Sequence, residues 1–292
     1  MKDRSLKALG LDGVPAMQPL TYPGLPATEP CLLAGDRLLP LEVRPLRLGD
    51  WRLTGESPRQ SLDEALAGLG QTLTGRRFPV VAVGSNASPG QLGHKLARLG
   101  VPAAVPMVPV RVRGVGVGCS GHIGAAGYVA SAPYLERAAS EVLVVSWFDA
   151  AQVRAVDDTE FHYRRVLLPG DAFEMTMPSG ERLGGAYLYV SSHGVLAGPD
   201  GGPRRSRGDQ SELLASLLAA SPRLRELLGP DPASWVDRAR AEREVREAGG
   251  RVFAEEGWAL EQPGFLPYLD AAVEQPLYDD LPPLGGSLGS RP

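Results

Sequence analysis

The sequence predicts an α+β fold: a small β-barrel or strongly curved mixed sheet with flanking helices, carrying N-terminal and C-terminal extensions. Three observations predict it. Short strand-like runs crowd the middle of the chain with few helices between them, the spacing of a barrel or curved sheet. A continuous apolar run, FPVVAV at 78–83, leads through a polar turn into a segment with helical spacing. From Asp209 onward the leucines recur at helical intervals.

Residues 1–76 read as a Pro-rich extension that packs on the core as an extended arm. Pro15, Pro19, Pro23, Pro26, Pro30, Pro40, Pro45 and Pro58 interrupt any long helix. Within it, CLLAGDRLLPLEV places Gly35-Asp36 between two apolar runs, a hairpin pattern. Ser61 and Glu64 have capping-box spacing ahead of Ala65, Leu66, Leu69 and Leu73, which predicts a helix.

The main domain is expected over 77–230. FPVVAV has the continuous apolar character of a strand covered on both faces. Gly84-Ser85-Asn86 stops it. Ser88 and Pro89 suit the N-cap and first turn of a helix carrying Leu92, Leu96 and Leu99 and closed by Gly100. VPMVPVRVRGVGVG alternates like a strand; GYVAS and SEVLVVSWF are two further strands. DAAQVRAVDDTE reads as a short helix. FHYRRVLL, DAFEMTM and GGAYLYVSS follow as strands, separated by Pro169-Gly170 and Pro178-Ser179-Gly180 turns. A helix from Asp209 continues past Pro222. Residues 231–292 read as a C-terminal extension: a charged helix from Ser234 to about Ala248, ended by Gly249-Gly250, then a Pro/Gly-rich tail that wraps the surface or is disordered.

Composition bounds the function. The net charge of −4 argues against a general affinity for nucleic acid. Two cysteines, Cys31 and Cys119, cannot build a disulfide framework or a cysteine zinc site. No apolar run is long enough to span a bilayer, and the N-terminal residues lack the apolar stretch of a secretory signal, so a cytoplasmic location is expected. Of 30 basic residues only Lys2, Lys7 and Lys95 are lysine, which with the 36 glycines and 27 prolines reads as a coding bias of the genome.

Several motifs compete for a chemical role. Gly116-Val117-Gly118-Cys119-Ser120-Gly121 satisfies G-x-G-x-x-G, with Glu141 beyond it. Dinucleotide binding needs a helix opening on the third glycine. The chain instead continues HIGAAGYVASAP, so a glycine-rich hairpin is the better reading. Cys119 and His122 sit three residues apart, and Glu160 with His162 offers two possible metal ligands but no third, so no metal is expected. The Gly84-Ser85-Asn86 turn joins a buried strand to a helix, where successive backbone N–H groups can form an anion-holding nest. Gly84 is expected either to adopt a backbone shape that side chains resist or to admit ligand atoms to the main chain. A carboxylate at Glu160, at the start of a buried strand, needs a partner; Arg164 or Arg165 is the structural candidate.

VAVGSNASPGQL followed by SEVLVVSWFDAAQVRAVDDTEFHYRRVLL resembles the gamma-glutamylcyclotransferase-like family. That family carries a Y-G-S-N-L loop after its first strand, then a strand and short helix leading to an acidic residue, often with Tyr and Arg after it. Val83-Gly84-Ser85-Asn86-Ala87 matches the loop, and Glu160 with Tyr163, Arg164 and Arg165 matches the second segment. Val83 stands where the family has Tyr, and Ala87 where it has Leu. The resemblance covers residues 77–230 and implies a closed or nearly closed barrel. It implies an intramolecular reaction in which a γ-glutamyl α-amine attacks its own γ-carbonyl, forming 5-oxoproline and expelling an amine. It gives Glu160 the role of general acid and base, shielded so that it can do both near neutral pH. It gives Val83, Gly84, Ser85, Asn86, Ala87 and Tyr163 a place around the substrate, with no cofactor and a small γ-glutamyl amine or amide as partner. The alternatives are removal of a γ-glutamyl-type group, or other amide chemistry, on a natural-product intermediate, and a non-catalytic small-molecule-binding protein on the same fold.

Overall fold

A computed structural model describes residues 3–55, 59–206, 209–269 and 274–285. Its centre is a mixed sheet whose main path runs through eight strands. The expected hairpin forms β1 (Cys31–Ala34) and β2 (Arg37–Glu42), turning at Gly35, which adopts φ +63. A two-residue β3 (Arg52–Leu53) pairs with β2. The Ser61/Glu64 capping box is made on both sides and opens α1 (Leu62–Gly68). The helix ends before Leu73, which lies outside it.

FPVVAV yields β4 (Phe78–Ala82), buried at all five positions. A 3-10 turn over Ser85–Ala87 then leads into α2 (Pro89–Arg98), with Ser88 at the N-cap. The next two strands are much longer than the sequence pattern: β5 (Ala104–Ile123) and β6 (Val129–Phe148) run 20 residues each as one antiparallel hairpin. Glycines and the polar YLERAAS stretch disguise their length. A Cβ on Gly116 would collide with Tyr134, one on Gly118 with Val195, and one on Gly121 with the His193 carbonyl, so these glycines permit close crossing of neighbouring chains. The G-x-G-x-x-G segment is thus strand, with no helix on its third glycine, as the hairpin reading expects.

An Asp149/Gln152 capping box starts α3 (Ala150–Asp157). The following strands are β7 (Tyr163–Pro169), β8 (Met175–Thr176), β9 (Gly185–Ser191) and β10 (Val195–Leu196). The helices are α4 (Gln210–Ala220), α5 (Pro222–Leu228), α6 (Pro232–Ala241) and α7 (Arg243–Glu255), and β11 (Ala259–Leu260) pairs with β10. Ser221 ends α4 and caps α5 through Leu224 N–H, so the pattern does not run on through Pro222. Nor does one helix run from Ser234 to Ala248. The chain breaks at Glu242, and Gly249-Gly250 lie inside α7. Gly249 is there because a side chain would strike Ile123 at the end of β5.

The sheet order is β3-β2-β1-β5-β6-β4-β9-β7, with only the β4–β9 contact parallel. Of the two expected forms, a barrel or a mixed sheet, the described strands make a mixed sheet and do not close into a barrel. Closure would need β3 to pair with β7, but β3 offers two residues, paired with β2 and bridged to Ser61. The β7 end is covered by the Pro263–Tyr268 turn, whose Phe265 enters the same core as Val166. Covering an edge removes the exposed ladder that closure would otherwise remove.

Within 1–76 the described residues pack on the core, and part of them joins its sheet. β1 pairs with β5 and extends the sheet, and Leu32, Leu41, Leu48 and Trp51 share one core with Val81, Val110 and Trp147. The C-terminal part does wrap the surface within 274–285: Tyr278 is buried and donates to Glu181 Oε1 at 2.7 Å, while Arg47 stacks over its ring. The remainder of that tail lies outside the described residues. The four helices α4 to α7 pack Leu214, Leu217, Leu224, Trp235 and Phe253 against Cys119, Ile123 and Val129, the far end of the β5–β6 hairpin. No helix among the described residues is long and apolar enough to cross a membrane.

Candidate functional site

The parallel β4–β9 contact places the end of β4 beside the turn that links α3 to β7. Between them opens a cavity of about 410 Å³, lined among others by Val83, Gly84, Ser85, Asn86, Lys95, His122, Glu160 and Tyr163. A volume of a few hundred cubic ångströms is that of a small-molecule site.

The turn after β4 is built as a donor array. The amides of Ala87 and Ser88 close it on the Gly84 and Ser85 carbonyls, while those of Ser85 and Asn86 have no acceptor among the described residues. Val83 both lines the cavity and packs on the sheet core. Ala87 does not line it; this residue packs into the second core, and its carbonyl accepts from Ala27 N–H at 3.0 Å. Gly84 has φ −140 and ψ −142, neither left-handed nor extended. A Cβ there would collide with the Tyr22 hydroxyl, so the glycine serves an approach by a side chain of the N-terminal extension.

Glu160 sits in a turn, not at the start of a strand: its N–H bonds the Asp157 carbonyl, its carbonyl accepts from Tyr163 N–H, and β7 begins at Tyr163. Its partner is neither Arg164 nor Arg165. Arg165 pairs with Asp157, which also accepts from the Tyr189 hydroxyl at 2.6 Å. Glu160 instead pairs with Lys95 of α2: Nζ to Oε1 is 2.8 Å, with the side chains 10% and 17% exposed. Asn86 Nδ2 donates to the same Oε1 at 3.0 Å, and Lys95 donates to Asn86 Oδ1 at 2.8 Å. Two residues, Asn86 and Lys95, thus fix one carboxylate oxygen and bond to each other. Oε2 has no hydrogen-bond partner among the described residues.

Aromatic and imidazole groups form the other wall. Tyr163 donates to the Ser131 carbonyl at 2.9 Å, and Ser131 N–H donates to Tyr22 at 2.7 Å. Burial raises the Tyr163 hydroxyl well above the ordinary tyrosine range and pushes that of Tyr22 up to about 12, so both are protonated at neutral pH. His122 bonds Ser120 Oγ through Nδ1 at 2.6 Å. Its ring stands 4.4 Å from that of His162, whose Nδ1 meets His193 Nε2 at 3.0 Å. Burial, and then the neighbouring His162 and His193, hold His122 well below the ordinary histidine value.

The sequence candidates divide clearly. Glu160, Asn86, Ser85, Gly84, Val83 and Tyr163 meet at one cavity; Ala87 supports them from behind. Glu160 and His162 both line it, yet no group of three or more His, Cys, Asp or Glu among the described residues is placed to hold a metal ion. Cys119 is buried with α4 to α7, away from this cavity, and its thiol is pushed up to about 11 by burial, the opposite of a nucleophilic cysteine. Sequence reasoning missed Lys95, Tyr22, Tyr128 and Ser131. Lys95 had a signal: in an arginine-dominated chain it is the one lysine outside the first seven residues, and it follows the polar turn. Tyr22 had none, because only the tertiary path of the extension brings it here.

Such an arrangement can bind an anionic or carbonyl oxygen at the turn amides and move a proton at the free carboxylate oxygen. In comparisons with known proteins, no family model matches this chain, and no curated protein matches it significantly.

Proposed function

We propose that this protein is a gamma-glutamylcyclotransferase-like enzyme. The observation that carries this reading is the asymmetric carboxylate. Glu160 Oε1 is fixed by Lys95 and Asn86, whereas Oε2, like the Ser85 and Asn86 amides at the same cavity, has no partner among the described residues.

The reaction needs little else. The substrate's α-ammonium first gives one proton to water; as the nitrogen of the neutral amine forms its bond to the γ-carbon, it gives a second proton to Glu160 Oε2. The carbonyl electron pair moves to oxygen. As that pair returns, the bond to the leaving amine breaks, and the amine takes the proton from Glu160. One carboxylate serves as base and then acid. The turn amides orient the glutamyl group, so the attacking nitrogen is held near the carbon it must reach.

Mass-spectrometric detection of 5-oxoproline, released from a panel of γ-glutamyl amines and amides, tests the reading. Glu160→Gln keeps the shape but cannot take the proton, and should lower turnover by about 10²–10⁴-fold with the fold intact. No release from any member of the panel, or a folded Gln variant with the wild-type rate, overturns it.

A further inference from the structure

We propose that Tyr22, carried into the cavity by the N-terminal extension, is a catalytic hydrogen-bond donor to the oxygen of the carbonyl under attack. The proposal rests on the cyclotransferase reading and adds a residue from outside the segment that carries the resemblance.

The position of one hydroxyl leads to it. Of the four tyrosines that line the cavity, Tyr163 spends its proton on the Ser131 carbonyl, Tyr189 spends its own on Asp157, and Tyr128 meets the Ser85 side chain. Tyr22 accepts from Ser131 N–H at 2.7 Å, and its own proton meets the Ser131 hydroxyl, which also pairs with Ser206 Oγ at 3.0 Å. A phenol has one proton to give and can accept at the same time, and a hydroxyl hydrogen rotates to suit its partners, so a substrate oxygen can take the place of the Ser131 hydroxyl.

The hydroxyl is also held in place. Tyr22 is 6% exposed, and its ring stacks on Tyr128 with centroids 4.2 Å apart. The segment around it is tied to the site's own elements: Ala16 N–H donates to Gln91 of α2 at 3.0 Å, and Ala27 N–H to the Ala87 carbonyl at 3.0 Å. The oxygen stands against Gly84, where a Cβ would collide with it. It therefore lies beside the turn whose Ser85 and Asn86 amides are unpaired, so three donors face one region of the cavity.

During the reaction, the γ-carbonyl carries negative charge between bond formation to the α-nitrogen and loss of the amine. Tyr22 stabilises that charge by hydrogen bonding and keeps its proton throughout. A donor fixed before the reaction begins needs no reorganisation at the transition state.

Steady-state kinetics of Tyr22→Phe on a substrate turned over by the wild type tests this. Loss of one oxyanion donor should lower kcat by about 10²–10³-fold with KM little changed. A structural role would instead lower the melting temperature and raise KM while sparing kcat. Ring-fluorinated tyrosines at position 22, graded in acidity, keep the stack and the Ser131 bond, and so serve if the Phe variant does not fold. Their kcat should change steadily with hydroxyl acidity. Wild-type kcat in a folded Phe variant, or a kcat unresponsive to acidity across the fluorinated series, overturns the role of Tyr22 alone. A wild type that releases no 5-oxoproline overturns the cyclotransferase reading, and this role with it.

Discussion

Replacing Lys95 by Met leaves Glu160 with Asn86 as its only partner and keeps most of the side-chain volume. At the observed 2.8 Å separation, the attraction between unit charges is about 6 kcal/mol at an effective dielectric constant near 20 and about 1.5 kcal/mol in bulk water. Desolvation of both ions offsets part of this, and the measured loss on breaking a buried pair is about 3–5 kcal/mol, because a charge is stranded. Here the partners are 10% and 17% exposed, so water can partly compensate, and Lys95→Met should cost about 2–3 kcal/mol. Glu160→Gln should cost less, about 1–2 kcal/mol, because the ammonium retains Asn86 Oδ1 and a neutral amide oxygen. The double variant should therefore fall short of the sum by at least about 1 kcal/mol, the sign of direct coupling. Urea unfolding of the four proteins at pH 7 reads these numbers from the midpoints, provided the slopes agree. A Lys95→Met protein within about 0.5 kcal/mol of wild type, or strictly additive effects, would show that the pair does not hold Glu160. In catalysis the same substitution should lower kcat, since a carboxylate free to swing is placed less well, and small misplacements cost up to about 10²-fold.

Two further outcomes are expected. Gly84→Ala drives a methyl group into the Tyr22 hydroxyl; it should lower stability by about 1–3 kcal/mol and reduce kcat, and in a Tyr22→Phe background its stability cost should shrink, which thermal denaturation of the single and double variants checks. His122 is held below its ordinary value of 6.5 by burial, then by His162 and His193, so below that pH the unfolded chain binds a proton that the native chain does not. Stability should therefore rise with pH from the native value up to 6.5, by at most about 1.4 kcal/mol per pH unit for this group, and then level off. Urea unfolding between pH 5 and 8 measures it, His122→Asn should flatten it, and a slope unchanged by that substitution refutes the assignment.

Local chemistry was the readable part of this chain. The Ser61/Glu64 capping box, the Gly35-Asp36 hairpin, the buried FPVVAV strand and the helix after Asp149 all depend on residues within a few positions of one another, and all form. What failed was anything decided by distant partners. Gly249-Gly250 looks like a helix end because glycine favours ends, yet Gly249 is mid-helix to let α7 approach Ile123. The β5–β6 hairpin was broken into pieces because its glycines accommodate Tyr134, Val195 and the His193 carbonyl, none of them near in sequence. At the site, Asn86 was legible as a turn residue and Glu160 as a carboxylate in need of a partner, although Glu160 lies in a turn and not at the start of a strand. The choice of Lys95 over Arg164 or Arg165 was not, because α2 had first to be laid beside the α3–β7 turn.

The N-terminal extension and the departure at position 83 belong together under the proposed reading. The resemblance implies a tyrosine where this chain has Val83, and Val83 turns part of its surface into the sheet core. A phenol at that position would have to find room beside a ring already stacked on Tyr128. The extension delivers that ring, and its placement depends on Gly84 remaining without a side chain. An extension that only stabilised the sheet would need β1 and its apolar contacts, and would have no use for a buried phenol set against the Gly84 turn. The segment before β1 is therefore best regarded as part of the catalytic unit, and a chain begun at Phe78 should lose both the edge of its sheet and one wall of its cavity.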